Sequence, residues 1–113
     1  MGTEAEGSAV QPFRFCGSAE LPEGRVLSRM VGGRAVAVVR LPGRGLCAFG
    51  ALCPHQQANL AEGLLELGGI TCADHLWHFE LPSGRCTNIP GAQLPRYAVR
   101  EEAGAVIVEL VPR

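Results

Sequence analysis

The sequence predicts an all-β domain: an antiparallel sandwich or barrel with an irregular excursion between about Cys53 and Pro90. Three observations lead there. Glycine and proline are abundant, 15 and 8 of 113 residues, which favours a turn-rich β fold over a helical bundle. Short apolar runs separated by turn signals recur from Phe13 to the C-terminus. No helical period of apolar residues persists beyond a turn or so, and Leu60–Leu67 is the one plausible helix.

Residues 1–11 are small and polar and read as a flexible N-terminal tail, leaving 12–113 as one domain. Arg25–Val31 and Arg34–Leu41 flank Gly32-Gly33, a two-residue glycine turn that suits a β-hairpin. The second strand is apolar on both faces, with Ala35, Ala37 and Val39 to one side and Val36 and Val38 to the other. That pattern belongs to a central strand. Pro42-Gly43-Arg44-Gly45 makes the next turn, before a strand from Leu46 to Leu52. Near the C-terminus, Arg96–Arg100 and Ala105–Val111 flank Glu101-Glu102-Ala103-Gly104, a second hairpin with Val106, Val108 and Leu110 on one face.

Charge and hydropathy narrow the function classes. The longest uninterrupted apolar run is Ala35–Val39, far short of a bilayer span. Glu4 and Glu6 occupy the N-terminus without an apolar stretch, which argues against a secretory signal and for a cytoplasmic protein. A net charge of −1 gives no global reason to bind nucleic acid. All ten basic residues are Arg, which reads as a coding bias. By segment, residues 12–52 carry +4 and residues 53–90 carry −3. The basic segment could meet an acidic partner, but a solvated face is the simpler reading.

The chemistry sits in the acidic middle. There are five Cys and three His, and the odd Cys count argues against a disulfide framework. Four of the eight form two boxes, Cys53-Pro54-His55 and Cys72-Ala73-Asp74-His75, separated by sixteen residues. Each follows an expected strand and puts one thiolate and one imidazole on a loop. Brought together, the loops would present two sulfurs and two nitrogens, which suits zinc or iron–sulfur chemistry. A structural zinc site usually draws Cys pairs from Cys-x-x-Cys knuckles. Mixed boxes instead suit a two-iron cluster with Cys on one iron and His on the other. Iron–sulfur is therefore the stronger reading, with zinc as the alternative.

Cys53-Pro54-His55-Gln56-Gln57 through Leu60-Ala61-Glu62-Gly63, then Gly69-Ile70-Thr71-Cys72 and His75-Leu76-Trp77-His78-Phe79, resembles Rieske ferredoxins. Pro-His-Gln in the first box and His-Leu-Trp after the second resemble the ferredoxin components of toluene-type diiron monooxygenases more than those of ring-hydroxylating dioxygenases. The likeness runs from about Leu52 to Tyr97, with Gly84 and Leu94-Pro95-Arg96-Tyr97 included. It implies a Rieske-like β sandwich or barrel with a small cluster-binding subdomain inserted at about 47–90. It also implies one 2Fe–2S cluster, with Cys53 and Cys72 on one iron and His55 and His75 on the other through Nδ1. The Nε2 edges would then face solvent, where a partner docks. Gln56, Asp74 and Trp77 become candidates for the cluster surroundings or the partner surface. Asp74 could tune His75 or contact a partner Arg, or simply be a solvated turn carboxylate. Trp77 would cover the apolar side of the cluster.

Respiratory Rieske proteins add a disulfide between the loops and Ser and Tyr hydroxyls on the cluster sulfurs. The matching positions here are Ala58 and Asp74, and Trp77 and Phe79, none of them the right residue. Without donors to the sulfurs, and with added negative charge disfavoured in an acidic segment, the midpoint should lie near the low end of the Rieske range, about −150 mV. Cys16, Cys47 and Cys86 read as small buried hydrophobes, His78 as an exposed residue, and Pro54 and Gly63 as loop-shaping residues.

Ligand counting separates carrier from enzyme. With His55 and His75 used, only His78 remains for a mononuclear iron site of the two-His-one-carboxylate kind. No glycine-rich dinucleotide fingerprint is present. The expected function is a one-electron shuttle from a flavin-containing reductase to a terminal oxygenase. By resemblance that oxygenase is a diiron hydroxylase of aromatic or alkene hydrocarbons. The alternatives are the ferredoxin of a ring-hydroxylating dioxygenase and, from a different class, a zinc-stabilised binding module. A monomer with no nucleic-acid or membrane partner is expected.

Overall fold

A computed structural model of the chain describes residues 10–53, 59–66, 68–72 and 77–112. Its large sheet takes β1 (Gln11–Gly17), β2 (Val26–Val31), β3 (Arg34–Leu41), β4 (Gly45–Gly50), β8 (Arg96–Glu102) and β9 (Ala105–Leu110). Its small sheet takes β5 (Leu64–Glu66), β6 (Gly69–Thr71) and β7 (His78–Glu80). The orders are β1-β9-β8-β4-β3-β2 and β5-β6-β7, and all strand pairs are antiparallel. The all-β expectation holds. Among the described residues the only helical pieces are two single 3-10 turns, Ser18–Glu20 and Leu60–Glu62, and no helix is long and apolar enough to cross a membrane.

The glycine hairpin forms as the sequence predicts. Val31 pairs with Arg34, and Gly32 and Gly33 both take positive φ, 57° and 82°, the type I′ geometry that matches strand twist. A Cβ on Gly32 would press on the Phe13 ring at 3.0 Å and on Leu110 at 3.2 Å. This turn therefore packs against β1 and β9, curling the sheet into a nearly closed barrel. In β1 the register slips between Arg14 and Cys16. That bulge lets consecutive residues, Phe15 and Cys16, both turn inward.

Strand β3 lies between β2 and β4, and its two faces serve two cores. Val36 and Val38 point into the barrel with Phe15, Leu21, Val106 and Val108. Ala37, Val39 and Leu41 face the opposite way, with Phe49 of β4, onto the small sheet's Ile70 and Phe79. All four of Val36–Val39 are fully buried, which explains the uninterrupted apolar run.

Three expectations need correction. The Leu60–Leu67 stretch is one 3-10 turn followed by β5, with Leu67 outside the described residues. Asn59 caps the turn through Ala61 N–H, and Gly63 leaves it extended at φ −84° and ψ −169°. The strand expected over Leu46–Leu52 is paired only to Gly50, where the chain is tied to Pro95 by a 2.8 Å main-chain bond. In the second hairpin, Glu101 and Glu102 belong to β8, and the turn is Ala103-Gly104 alone.

Candidate metal centre

The first box leaves the barrel just beyond β4. Leu52 and Asn59 form an isolated antiparallel bridge, and Leu60 N–H donates to the Ala51 carbonyl at 2.7 Å. Segment 53–58 is thus clamped at its base, with Cys53 immediately inside. The second box leaves β6 in the same way, where Cys72 N–H donates to the Trp77 carbonyl at 2.8 Å. His55, Gln56, Ala58, Asp74 and His75 lie outside the described residues. Among the described residues no cluster of three His, Cys, Asp or Glu forms a metal site.

What the described residues bring together is the cysteine pair. Cys53 and Cys72 are both fully buried and belong to one apolar cluster with Leu60, Ile70 and Phe79. Gly63 makes this juxtaposition possible. A Cβ there would overlap the Thr71 carbonyl oxygen and press on that of Leu60 at 3.2 Å, so glycine lets the exit of the first box lie against the strand that delivers Cys72. Gly63 is indeed a loop-shaping residue.

The donor set fits a metal group. A thiol buried among apolar side chains resists ionisation unless a cation faces it, and Cys47 and Cys16 show that resistance. Burial pushes the Cys47 thiol up to about 11. Cys16 is raised by burial first and Glu20 second. Cys86 donates to Asn88 Oδ1 at 3.2 Å. All three are buried, as expected, and no disulfide forms among the described residues.

Trp77 is half-buried against the same apolar cluster, its ring centroid 6.3 Å from that of the fully buried Phe79. His78 departs from expectation. It is half-buried, paired with Thr71 across β6 and β7, and its Nδ1 lies 2.9 Å from Thr71 Oγ1. Its ring covers Gly69, where a Cβ would meet Nε2 at 2.6 Å. The carboxylates of the acidic segment that are described, Glu62, Glu66 and Glu80, are all exposed, so water and salt screen them from the buried thiols.

Sequence reasoning passed over Asn59 and Thr71. Asn59 Nδ2 donates to Ser28 Oγ at 3.0 Å while its Oδ1 caps the 3-10 turn, fastening the first box to β2. An Asn four residues before a Gly was a visible bracket for a short turn. The Thr71–His78 pairing needed a strand register that no local pattern gives.

Comparison with known proteins agrees with this architecture. The sequence profile of the Rieske [2Fe-2S] domain matches residues 11–98. The ferredoxin component of the alkene monooxygenase system of Xanthobacter autotrophicus is 30% identical over 109 residues, covering 96% of this chain and 88% of that one. The ferredoxin component of the naphthalene 1,2-dioxygenase system of Pseudomonas aeruginosa is 34% identical over 92 residues, covering 80% and 88%. Among solved structures, the ferredoxin of carbazole 1,9a-dioxygenase from Nocardioides aromaticivorans superimposes with a TM-score of 0.79 at 27% identity, over 91% of this chain and 99% of that one. A complex of reduced oxygenase and oxidized ferredoxin in carbazole 1,9a-dioxygenase contains a chain matching with a TM-score of 0.75 at 28% identity, over 85% and 99%.

Proposed function

The chain belongs to the Rieske [2Fe-2S] domain family, and on that footing we propose that Cys53 and Cys72 hold one iron of its 2Fe–2S cluster and His55 and His75 the other. The observation that supports the cysteine half of this set is the burial of Cys53 and Cys72 in one apolar cluster, Cys53 just inside the Leu52–Asn59 bridge and Cys72 bonded to the Trp77 carbonyl through its own N–H. The chain from β1 onward acts as one domain, with the cluster borne by the segment at about 47–90, and the residues ahead of β1 are a tail; Gln11, expected in that tail, instead pairs with Leu110 in β1. When bound, the cluster supplies one-electron reduction and oxidation.

The protein is an electron carrier of an oxygenase system, not an enzyme in its own right. It passes electrons to a terminal oxygenase. Its own residues bury the Cys53 and Cys72 thiols, which would hold one iron, with Ile70, Phe79 and Leu60, and fix the loop bases. The donor is a flavin-containing reductase, and the acceptor is a diiron hydroxylase of aromatic or alkene hydrocarbons. The alkene monooxygenase relative, which matches along 96% of the chain, supports that acceptor. A ring-hydroxylating dioxygenase is the second reading, supported by the naphthalene dioxygenase and carbazole dioxygenase ferredoxins. The carrier works as a cytoplasmic monomer without nucleic acid or membrane, and Gln56, Asp74 and Trp77 border its exposed redox edge.

Anaerobic spectroelectrochemistry tests the cofactor, and turnover with a purified diiron hydroxylase and a purified ring-hydroxylating dioxygenase tests the partner. A reddish-brown chromophore that bleaches with one electron, and product from the hydroxylase alone, are expected. A colourless protein carrying zinc would overturn the ligand assignment. Turnover with the dioxygenase alone would overturn the choice of acceptor.

A further inference from the structure

The barrel face that seats the small sheet is longer than the small sheet itself. On β2 and β3 this face is formed by the pairs Val26–Val39, Ser28–Ala37 and Met30–Ala35. Val26 and Val39 pack in the apolar cluster beneath the small sheet. Ser28 is covered by Asn59, at the exit of the first box. Beyond that point cover stops: Met30 is 69% exposed, and Leu52, the residue before Cys53, is 37% exposed. Among the described residues only Val10 and Leu64 are comparably exposed large hydrophobics.

Two open hollows of about 350 and 240 Å³ meet here, sharing Ala35, Ala51 and Leu52. The first reaches Met30 and Asn59; the second reaches Pro95 and Tyr97. No carboxylate lines either hollow. Arg34 borders the second and uses its Nε on the Val111 carbonyl, with no ion pair among the described residues. Arg29, beside Met30, is already paired with Glu20. A shelf bordered by a cation with no ion pair among the described residues thus adjoins the residue that leads into Cys53. Met30 and Leu52 line one hollow, which gives an incoming apolar side chain two contacts at once.

We propose that Met30, Ala35 and Leu52, with Arg34 at their border, form a lateral docking shelf for the terminal oxygenase, seating one of its apolar side chains with a carboxylate beside it on Arg34. The proposal rests on the electron-carrier reading and adds to it the chemistry of the partner's surface. A partner that reads the cluster loops end-on meets this shelf at the same time, because Leu52 belongs to the base of the first box. One apolar anchor and one exposed ion pair suit a complex that must release between electrons.

The test uses the oxygenase that the wild-type holoprotein turns over, so a failure of the carrier reading appears separately, as absence of wild-type turnover. Met30→Asp is expected to raise the KM for the carrier about tenfold, with kcat, visible spectrum and midpoint unchanged, and Met30→Leu to restore it. Arg34→Gln is expected to raise that KM about threefold and to flatten its salt dependence. An unchanged KM in Met30→Asp overturns the proposal. A defect confined to the reductase also overturns it, as does a dimer in sedimentation that Met30→Asp dissolves. The shelf would then seat the electron donor or a second copy.

Discussion

Gly63→Ala tests the juxtaposition on which the metal centre depends. At φ −84° and ψ −169° the backbone accepts alanine without strain, and the loss of unfolded-state freedom alone would stabilise the protein by about 0.4–1 kcal/mol. Against this, the new methyl overlaps the Thr71 carbonyl oxygen and presses on the Leu60 carbonyl at 3.2 Å. Neither neighbour is a flexible side-chain end. Thr71 is held in β6 between Leu64 and His78, and Leu60 O accepts the Gly63 N–H at 2.9 Å. Overpacking costs about 1–3 kcal/mol, and overlap with a fixed main-chain oxygen takes the upper end, so after that gain a net loss of about 2 kcal/mol is expected. For a domain of this size that is a fall in melting temperature of about 8 °C. The assay is parallel thermal scans of the holoprotein at one scan rate, following cluster absorbance and far-UV circular dichroism, with iron per protein measured beforehand. The cluster signal should be lost first and iron content should fall. An unchanged or raised melting temperature would refute the close approach of the two boxes.

Asn59→Ala removes the cap on Ala61 and the tie to Ser28 and should lower stability by about 1–2 kcal/mol, read as earlier cluster loss on heating. Ala103 sits at φ 50° before Gly104 in a two-residue turn, so Ala103→Asn should raise the melting temperature by several degrees, about 1 kcal/mol; a decrease would contradict the turn type. Glu101 is held at about 2 by its hydrogen bonds to Arg40 and Ser18. A carboxylate with a depressed pKa stabilises above its ordinary value and loses that contribution as pH falls towards the folded one. The melting gap between wild type and Glu101→Gln should therefore be full at neutral pH and shrink from about pH 4.5 downward; a pH-independent gap would remove the ion pair as its cause. Protein-film voltammetry should place the midpoint below zero, since Phe79 brings no hydroxyl to the cluster; a clearly positive value would refute that account.

The local features of the sequence were the readable ones. Gly32-Gly33 announced a turn needing two positive φ values, and the alternation of Val36 and Val38 against Ala37 and Val39 announced a strand buried on both sides. Cys53 and Cys72 stood out by their spacing from His55 and His75, and of that set the described residues bring the two cysteines into one cluster. What stayed hidden depended on contacts between distant segments. Leu60, Leu64 and Leu65 have helical spacing, yet Gly63 must lie flat against Thr71, and that approach leaves room for one 3-10 turn only. His78 looked exposed because nothing in its neighbourhood names Thr71 as its partner; the β6–β7 register does. The shelf at Met30 was equally hidden, since its exposure depends on where the small sheet ends.

The double burial of β3 and β4 has a functional consequence. Val36, Val38 and Ala48 face the barrel core, whereas Ala37, Val39 and Phe49 face the cluster that includes Cys53 and Cys72. The shared wall is one backbone layer, and around a large-to-small change the surroundings relax only partly, so the cavity stays on the face where it is made. A cavity on the barrel side therefore lowers global stability while leaving the thiol environment packed. The same loss at Phe49 would loosen the floor on which both cysteines rest. Val38→Ala and Phe49→Leu separate the two. The first should lower the melting temperature with the midpoint and spectrum of the remaining holoprotein unchanged. The second should broaden the electron paramagnetic resonance lines of the reduced cluster as its seat gains freedom. Identical spectra in both variants would mean that the clamps at Leu52–Asn59 and Cys72–Trp77 fix the cluster by themselves, with the barrel serving only as their support.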